Sequence, residues 1–203
     1  MIKIVDYGLG NLLALQNIYK LLNIPVSFAK TAKDLEEATH IILPGVGAFD
    51  QAIEKLNLSG MRAKLEQSVL EDKIPILGIC VGMQIFADRS DEGKLAGLGW
   101  ISGEVKNFKS LIEESLVLPH MGWNDVHPVI KKELFNNFTN SIQFYFLHSY
   151  YFKCDHLDDI AAFSSYGEEF ACAVNFNNIY GVQFHPEKSH HFGIQLLKNF
   201  SEI

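Results

Sequence analysis

The chain has 203 residues, of which 48% are hydrophobic and 20% charged, and its formal net charge at pH 7 is −7. This composition is typical of one compact domain over residues 1–203 and excludes collagen-like, low-complexity and disordered chains. An acidic chain without a basic stripe cannot neutralise phosphates, so we expect no nucleic-acid partner. We find neither a signal-peptide pattern nor an apolar run near the ~20 residues that span a bilayer, and therefore expect no membrane association and a cytoplasmic location.

The three cysteines, Cys80, Cys154 and Cys172, are odd in number and far apart in the sequence. They form neither a disulfide framework nor a C-x-x-C zinc pair. In a reducing cytoplasm a lone cysteine can serve as a nucleophile. Cys154 and Cys172 lack the context that such a role needs, and we interpret both as structural.

The first 90 residues alternate short apolar runs with amphipathic stretches, as βα units do. Strands are predicted at 2–7, 26–28, 40–43 and 74–79, and helices at 11–22, 34–38, 48–56 and 60–70. After residue 88 the chain becomes richer in aromatic residues, with strands predicted at 103–108, 143–147, 160–163, 171–176 and 179–184. A last amphipathic helix is predicted at 192–200. The sequence predicts a single-domain α/β fold, an open mixed sheet flanked by helices, parallel first and more antiparallel later.

The segment G-I-C-V-G at 78–82 lies between an apolar strand and a helical pattern. It matches the G-x-nucleophile-x-G elbow, with Cys80 as the nucleophile. The elbow places Cys80 at a helix N-terminus, where the dipole favours a thiolate, and directs the amide of Val81 at a developing oxyanion. The alternative is a buried structural cysteine between two packing glycines.

A cysteine nucleophile needs a base, and the base needs an orienting group. His185 follows the apolar run 179–184 directly, and Glu187 lies two residues on. The carboxyl end of a buried strand is where open α/β sheets bind ligands, and Glu187 can hold the far imidazole nitrogen. We considered a metal cluster with His190 and His191, but no second group stands at metal-ligand spacing, so we predict no metal.

A second oxyanion donor is predicted in the P-G-V-G segment at 44–47. Glycines on both sides of Val46 allow its peptide conformations that other residues cannot adopt. An N–H of Val46 or Gly47 could then act together with Val81. The alternative is an ordinary glycine-rich turn between a strand and a helix.

With these motifs in place, the chain resembles the class I (triad) glutamine amidotransferases, which have a flavodoxin-like fold with a nucleophile elbow. The resemblance covers nearly the whole chain. Its motifs are D-Y-G-L-G-N at 6–11, P-G-V-G-A-F at 44–49, G-I-C-V-G-M-Q at 78–84, P-H-M-G-W-N at 119–124, F-L-H-S-Y at 146–150 and G-V-Q-F-H-P-E-K-S at 181–189. The fourth motif and H-S-Y are typical of the glutaminase subunits of imidazole glycerol phosphate synthases. Val81 stands where leucine is usual, and the segment 106–115 shows no family pattern.

The resemblance implies a catalytic triad of Cys80, His185 and Glu187, with an oxyanion held by Val81 and by Val46 or Gly47. The residues that it places at the amino-acid end of L-glutamine are Gln84, Glu92, Ser149 and Tyr150. It implies no cofactor.

The resemblance also implies a heterodimer with a (β/α)8 synthase subunit, which takes ammonia through a sealed channel and makes imidazole glycerol phosphate and AICAR in histidine biosynthesis. The residues that it places at the partner interface are Trp123, Asn124, Asn11 and Lys188. Activation by the partner through loop 45–47 is a further family expectation. Paralogues feed ammonia to other amidating enzymes, some in surface-sugar pathways, and the glutaminase motifs do not separate these cases.

Three rival functions remain. One is a catalytically inactive binding subunit, and the intact set of Cys80, His185 and Glu187 argues against it. A dinucleotide site is suggested by Gly8 and Gly10, but Leu13 stands in place of the third glycine, and the second strand does not end in an acidic residue. A stand-alone cysteine hydrolase would use the same elbow without a partner. Trp123 beside Met121 favours the subunit, because paired exposed apolar residues are typical of interfaces.

Overall fold

A computed structural model gives the fold and describes residues 1–110, 116–129, 133–138 and 141–203. Of the segment 106–115, which shows no family pattern, residues 111–115 lie outside the described residues. The strands are β1 (Ile2–Val5), β2 (Val26–Ala29), β3 (His40–Gly45), β4 (Ile76–Cys80), β5 (Arg89–Ser90), β6 (Gly103–Asn107), β7 (His120–Pro128), β8 (Ile142–His148), β9 (Tyr150–Cys154), β10 (Ile160–Tyr166), β11 (Glu168–Phe176) and β12 (Ile179–Val182). The helices are α1 (Leu12–Leu21), α2 (Phe49–Leu58), α3 (Arg62–Glu66), α4 (Val81–Gln84) and α5 (His190–Ser201).

The strands form one mixed sheet whose main path runs β2-β1-β3-β4-β12-β11-β10-β7-β8. The pairs from β2 to β12 are parallel, and those from β12 onwards are antiparallel. Strand β9 adds antiparallel pairs to β11 and β6. This confirms the predicted fold class, including the change from parallel to antiparallel pairing.

The central strands form because their short apolar runs can be buried on both faces, as parallel sheets require. All residues of β1, β4 and β12 are buried. Helices α1 and α2 cover the sheet with one apolar face each, which buries Leu15 and Tyr19 from α1 and Ile53 and Leu56 from α2. The core is therefore continuous under the carboxyl ends of these strands.

The register brings the predicted site residues to one edge of the sheet. Gly45, the last residue of β3, lies opposite Cys80, the last residue of β4. Strand β12 pairs with the other side of β4, and the chain leaves β12 towards His185 at the same edge. The loop after β3, the nucleophile and the histidine therefore meet where open α/β sheets bind their ligands.

Several predicted boundaries were wrong for local reasons. The helix predicted at 34–38 is a 3₁₀ turn at Ala32–Leu35, because Asp34 accepts the backbone N–H of Thr31 (2.8 Å) and starts the turn earlier. The helix predicted at 60–70 is α3 followed by a π turn at Gln67–Glu71. Strand β3 continues two residues beyond the prediction, in register with Ile79 and Cys80.

Strands β5, β7 and β9 were not predicted. In the first half of β7 the usual alternation is inverted: Met121 and Trp123 face outwards and are exposed, whereas His120 faces inwards and is buried. A pattern search that assigns apolar residues to the inner face cannot recognise such a strand. No helix within the described residues is long and apolar enough to cross a membrane.

Candidate active site

Cys80 occupies the sharp turn between β4 and α4, with φ +55° and ψ −115°. A residue with a side chain rarely adopts this conformation, and such strain is found mainly at functional sites. The turn needs glycine on both sides: a Cβ on Gly82 would collide with the carbonyl oxygen of Leu43, and one on Gly78 with the ring of Phe86. The predicted elbow is therefore present.

Helix α4 is shorter than the sequence indicated, because it has only four residues and ends at Gln84. The macrodipole needs several aligned peptides, so one turn supplies little of the electrostatic help that we expected for a Cys80 thiolate. The activation must come mainly from neighbouring side chains.

His185 and Glu187 provide that environment. Nδ1 of His185 lies 2.9 Å from Oε1 of Glu187, and both side chains are buried. Burial alone would lower the pKa of His185, but hydrogen bonding to Cys80 and Glu187 and their negative charge outweigh it and raise the pKa of His185 to about 10. These contacts favour the imidazolium form of His185, which suits the ring to pair with a thiolate.

Two glutamines extend the hydrogen-bond network around the nucleophile Cys80. Nε2 of Gln183 lies 3.6 Å from Sγ of Cys80, and Oε1 of Gln183 accepts a hydrogen bond from Nε2 of Gln84 (2.9 Å). Nε2 of Gln84 also donates to the carbonyl oxygen of Tyr150 (3.2 Å). Sequence reasoning gave no role to Gln183, although a polar residue inside the apolar run 179–184 is a detectable signal.

The loop after β3 lies against the elbow. A Cβ on Gly45 would collide with the backbone N of Gly82, so this close approach requires glycine. Gly47 has φ +94°, in the region that favours glycine, and Val46 is 41% exposed. Tyr7 donates a hydrogen bond to the carbonyl oxygen of Pro44 (2.7 Å), and burial, together with the charge on Cys80, raises the pKa of Tyr7.

A cavity of about 560 Å³ opens above these groups. The predicted residues that line it are Cys80, His185, Glu187, Val81, Val46, Gly47, Gln84, Glu92, Ser149, Tyr150, Asn11 and Lys188. Its volume is ample for an amino-acid substrate. Glu92 also accepts the backbone N–H of Phe49 (2.8 Å), which joins its loop to the first turn of α2.

Trp123 and Asn124 do not line the cavity. Trp123 is 44% exposed and stacks on His190 with ring centroids 5.4 Å apart. Nearby, Lys188 lies over the ring of Tyr145, which pairs with Trp123 across β7 and β8. Trp123 thus belongs to the surface beside the cavity mouth, which Lys188 joins to the cavity itself. Asn124 faces the other side of β7, where its amide contacts Ser165 and His120.

Among the residues that the structure describes, no group of three or more His, Cys, Asp or Glu side chains is arranged to hold a metal ion. The other two cysteines are free. Burial raises the pKa of Cys154 to about 12 and that of Cys172 well above its usual value, so neither is a ready nucleophile.

Comparison with known proteins places this geometry in a family. The sequence profile of class-I glutamine amidotransferases matches residues 4–202. The chain belongs to the class-I glutamine amidotransferase family. Over 204 residues, and 100% of both chains, it is 59% identical to the "Imidazole glycerol phosphate synthase subunit HisH" of Bdellovibrio bacteriovorus and 50% identical to the protein of that name from Leptospira interrogans. A solved structure titled as a glutamine amidotransferase superposes with a TM-score of 0.76 at 17% identity, covering 99% of this chain and 97% of the other, and supports the fold.

Membership of the class-I glutamine amidotransferases confirms the resemblance drawn from the motifs. In chemical terms, this amidotransferase has a strained cysteine, a histidine whose protonated form is favoured and a buried carboxylate, all lining one cavity. That set is suited to acyl transfer through a thioester.

Proposed function

We propose that the chain hydrolyses L-glutamine to glutamate and ammonia, as the glutaminase subunit of an imidazole glycerol phosphate synthase. The observation that carries the proposal is the buried contact of His185 with Cys80 and Glu187 at the floor of the cavity. The full-length relatives named as subunits of that synthase support the choice of pathway. The same proposal treats residues 1–203 as one glutaminase domain in the cytoplasm.

In the proposed reaction, the Cys80 thiolate attacks the carboxamide carbon, and the oxyanion is held by the N–H of Val81 with a second N–H from Val46 or Gly47. His185 gives its proton to the departing nitrogen, so that ammonia leaves and a glutamyl thioester remains. His185, now neutral, then takes a proton from water, and the hydroxide formed cleaves the thioester to glutamate and free Cys80. Glu187 keeps the imidazole oriented through both steps.

The rest of the cavity suits the amino-acid end of the substrate. We assign Glu92 to the substrate ammonium because its carboxylate lines the cavity. Gln84, Ser149 and Tyr150 offer polar groups on the same wall, where the α-carboxylate and the backbone of glutamine would lie. These assignments require glutamine to enter with its carboxamide towards Cys80.

The ammonia needs a partner. In water at neutral pH it would be mostly protonated and therefore not nucleophilic, so a sealed route to a second active site has a chemical purpose. We propose a heterodimer with a (β/α)8 synthase subunit, docked on Trp123 and Asn124 and reaching the cavity mouth at Asn11 and Lys188. The exposure of Trp123 and Met121 beside that mouth supports this location.

The test is glutamate release from glutamine by the purified chain, with and without the histidine-pathway barrel and its sugar-phosphate substrate. We expect turnover that depends on the barrel and disappears in Cys80→Ala. Undiminished turnover in Cys80→Ala would contradict the chemistry. Inactivity with this barrel, together with labelling of Cys80 by a glutamine-like electrophile, would contradict the pathway and favour a paralogous partner.

A further inference from the structure

A largely buried chain of hydrogen bonds runs from Asn124, in the middle of β7, to the nucleophile. Nδ2 of Asn124 lies 3.2 Å from Nε2 of His120, and Nδ1 of His120 lies 3.0 Å from Nε2 of His148. Nδ1 of His148 lies 2.8 Å from the carbonyl oxygen of Tyr150. That carbonyl also accepts from Gln84, which continues through Gln183 to Cys80. The reaction proposed above uses neither histidine.

The chain fixes the tautomer of each ring. A backbone carbonyl can only accept, so His148 must donate from Nδ1 to Tyr150. If His148 is neutral, its Nε2 accepts from Nδ1 of His120, and Nε2 of His120 then accepts from Asn124. The orientation of the Asn124 amide agrees, because Nδ2 also donates to the carbonyl oxygen of Ser165 (2.7 Å) and Oδ1 accepts the N–H of Asp125 (2.8 Å).

The surroundings keep both rings neutral. His120 lies between the rings of Phe146 and Tyr166, with centroids 4.8 and 4.2 Å away, and His148 packs against Phe108 and Phe170. Burial lowers the pKa of His120 to about 4, and burial, together with the positive charge of His185, lowers the pKa of His148 to about 3. Polar side chains in so apolar a cluster carry a desolvation cost that a purely structural core could avoid.

We propose that His120 and His148 are positioning residues, which act as neutral imidazoles to fix the carbonyl of Tyr150 and the amide of Gln84 on the wall that receives the amino-acid end of glutamine. This inference rests on the proposed function, and it adds a role for two residues outside the triad, of which His148 also lines the cavity. Asn124 closes the chain at the surface beside Trp123, and it fixes the acceptor side of His120.

The experiment compares two electrophiles on the purified full chain. A glutamine-like chloroketone needs the amino-acid wall to reach Cys80, whereas iodoacetamide does not. In His148→Phe, which keeps a flat aromatic ring, slightly larger than imidazole, but removes both nitrogens, we expect the rate of chloroketone labelling to fall at least about tenfold and that of iodoacetamide to change less than about threefold. His148→Asn retains a donor near the position of Nδ1 and should recover most of the chloroketone rate.

The control is His127→Phe, since His127 lies on β7, the strand of His120, and is exposed. Both labelling rates should equal those of the wild type. A wild-type preference for the chloroketone that survives in His148→Phe would overturn the positioning role alone. Equal rates with both reagents in the wild type would overturn the proposed function and this inference with it.

A second measurement needs no variant. The ¹⁵N chemical shifts of the imidazole nitrogens report the tautomer directly, and we expect His148 to be neutral with its proton on Nδ1 at pH 7. An imidazolium, or a proton on Nε2, would overturn the inference even if His148→Phe failed to fold.

Discussion

At the scale of single residues, Cys80 combines reactivity with strain. Its φ of +55° is unfavourable for any residue with a Cβ, yet the nucleophile must have one. The fold tolerates this because β3 and β12 hold β4 on both sides and glycines surround the turn. The packing of the sheet therefore offsets the strain energy of the turn.

This strain can be measured by comparing two inactive variants. Cys80→Gly should be more stable than Cys80→Ala by about 1 kcal/mol, because glycine adopts positive φ without a Cβ penalty, whereas alanine keeps it. Urea unfolding of both variants measures the difference. At an unstrained position the order would be the reverse, so an alanine variant more stable than the glycine variant would show that Cys80 carries no strain.

The charge on His185 leads to a second prediction. Its pKa is raised through hydrogen bonding to Cys80 and Glu187, so the stabilisation from this pairing is complete below about pH 6.5 and is lost as the pH rises through about 10. Removal of the sulfur in Cys80→Ala should lower the pKa of His185, because one of the two raising partners is gone. An NMR titration of the ring checks this, and an unchanged pKa would mean that Glu187 alone sets the charge.

At the scale of elements, how much the sequence predicts depends on whether inner positions are apolar. The run 74–79 followed by G-x-C-x-G identified both β4 and the nucleophile, because every inner residue there is apolar or glycine. Strand β7 escaped prediction because its inner positions hold His120 and Asn124, whose partners lie on other strands and leave no local pattern. The sequence also did not predict how short α4 is, because the helix ends after one turn although apolar residues follow it.

The buried histidines of β7 and β8 also predict that the fold loses stability as the pH falls. The pKa of His148 is lowered mainly by burial, so its contribution to stability is present above about pH 6.5 and is lost as the pH falls towards its folded value of about 3. Between pH 7.5 and pH 5 the wild type should lose roughly 2 kcal/mol more than His148→Phe, which has no proton to bind.

Urea unfolding at the two pH values tests this, with His127→Phe as the control. His127 is exposed, so its substitution should leave the acid loss as in the wild type. An equal loss in all three proteins would mean that His148 takes up its proton in the folded state.

At the scale of the whole molecule, the carboxyl edge of the sheet brings together two surfaces with different purposes. The cavity there holds the polar groups, and beside its mouth lie the exposed Met121, Trp123 and Val46, which are 65%, 44% and 41% accessible. Apolar side chains grouped around a reactive pocket are costly unless another surface covers them. The inverted β7 creates this arrangement, since it places polar groups inside and apolar groups outside on the same strand.

This arrangement predicts that Trp123 contributes to partner binding more than to folding. Trp123→Ala should raise the dissociation constant for the synthase barrel at least about tenfold, because tryptophans that become buried in an interface are frequent hot spots. The same substitution should change the free energy of unfolding little. Phe176→Ala is the matched control: Phe176 is also 44% exposed, but it ends β11 opposite Ile179, at the edge of the sheet away from Cys80. Titration calorimetry gives both constants. If the two variants bind the barrel with equal affinity, the partner does not dock on β7. If only Phe176→Ala loses affinity, the partner docks at the opposite edge of the sheet, far from Cys80.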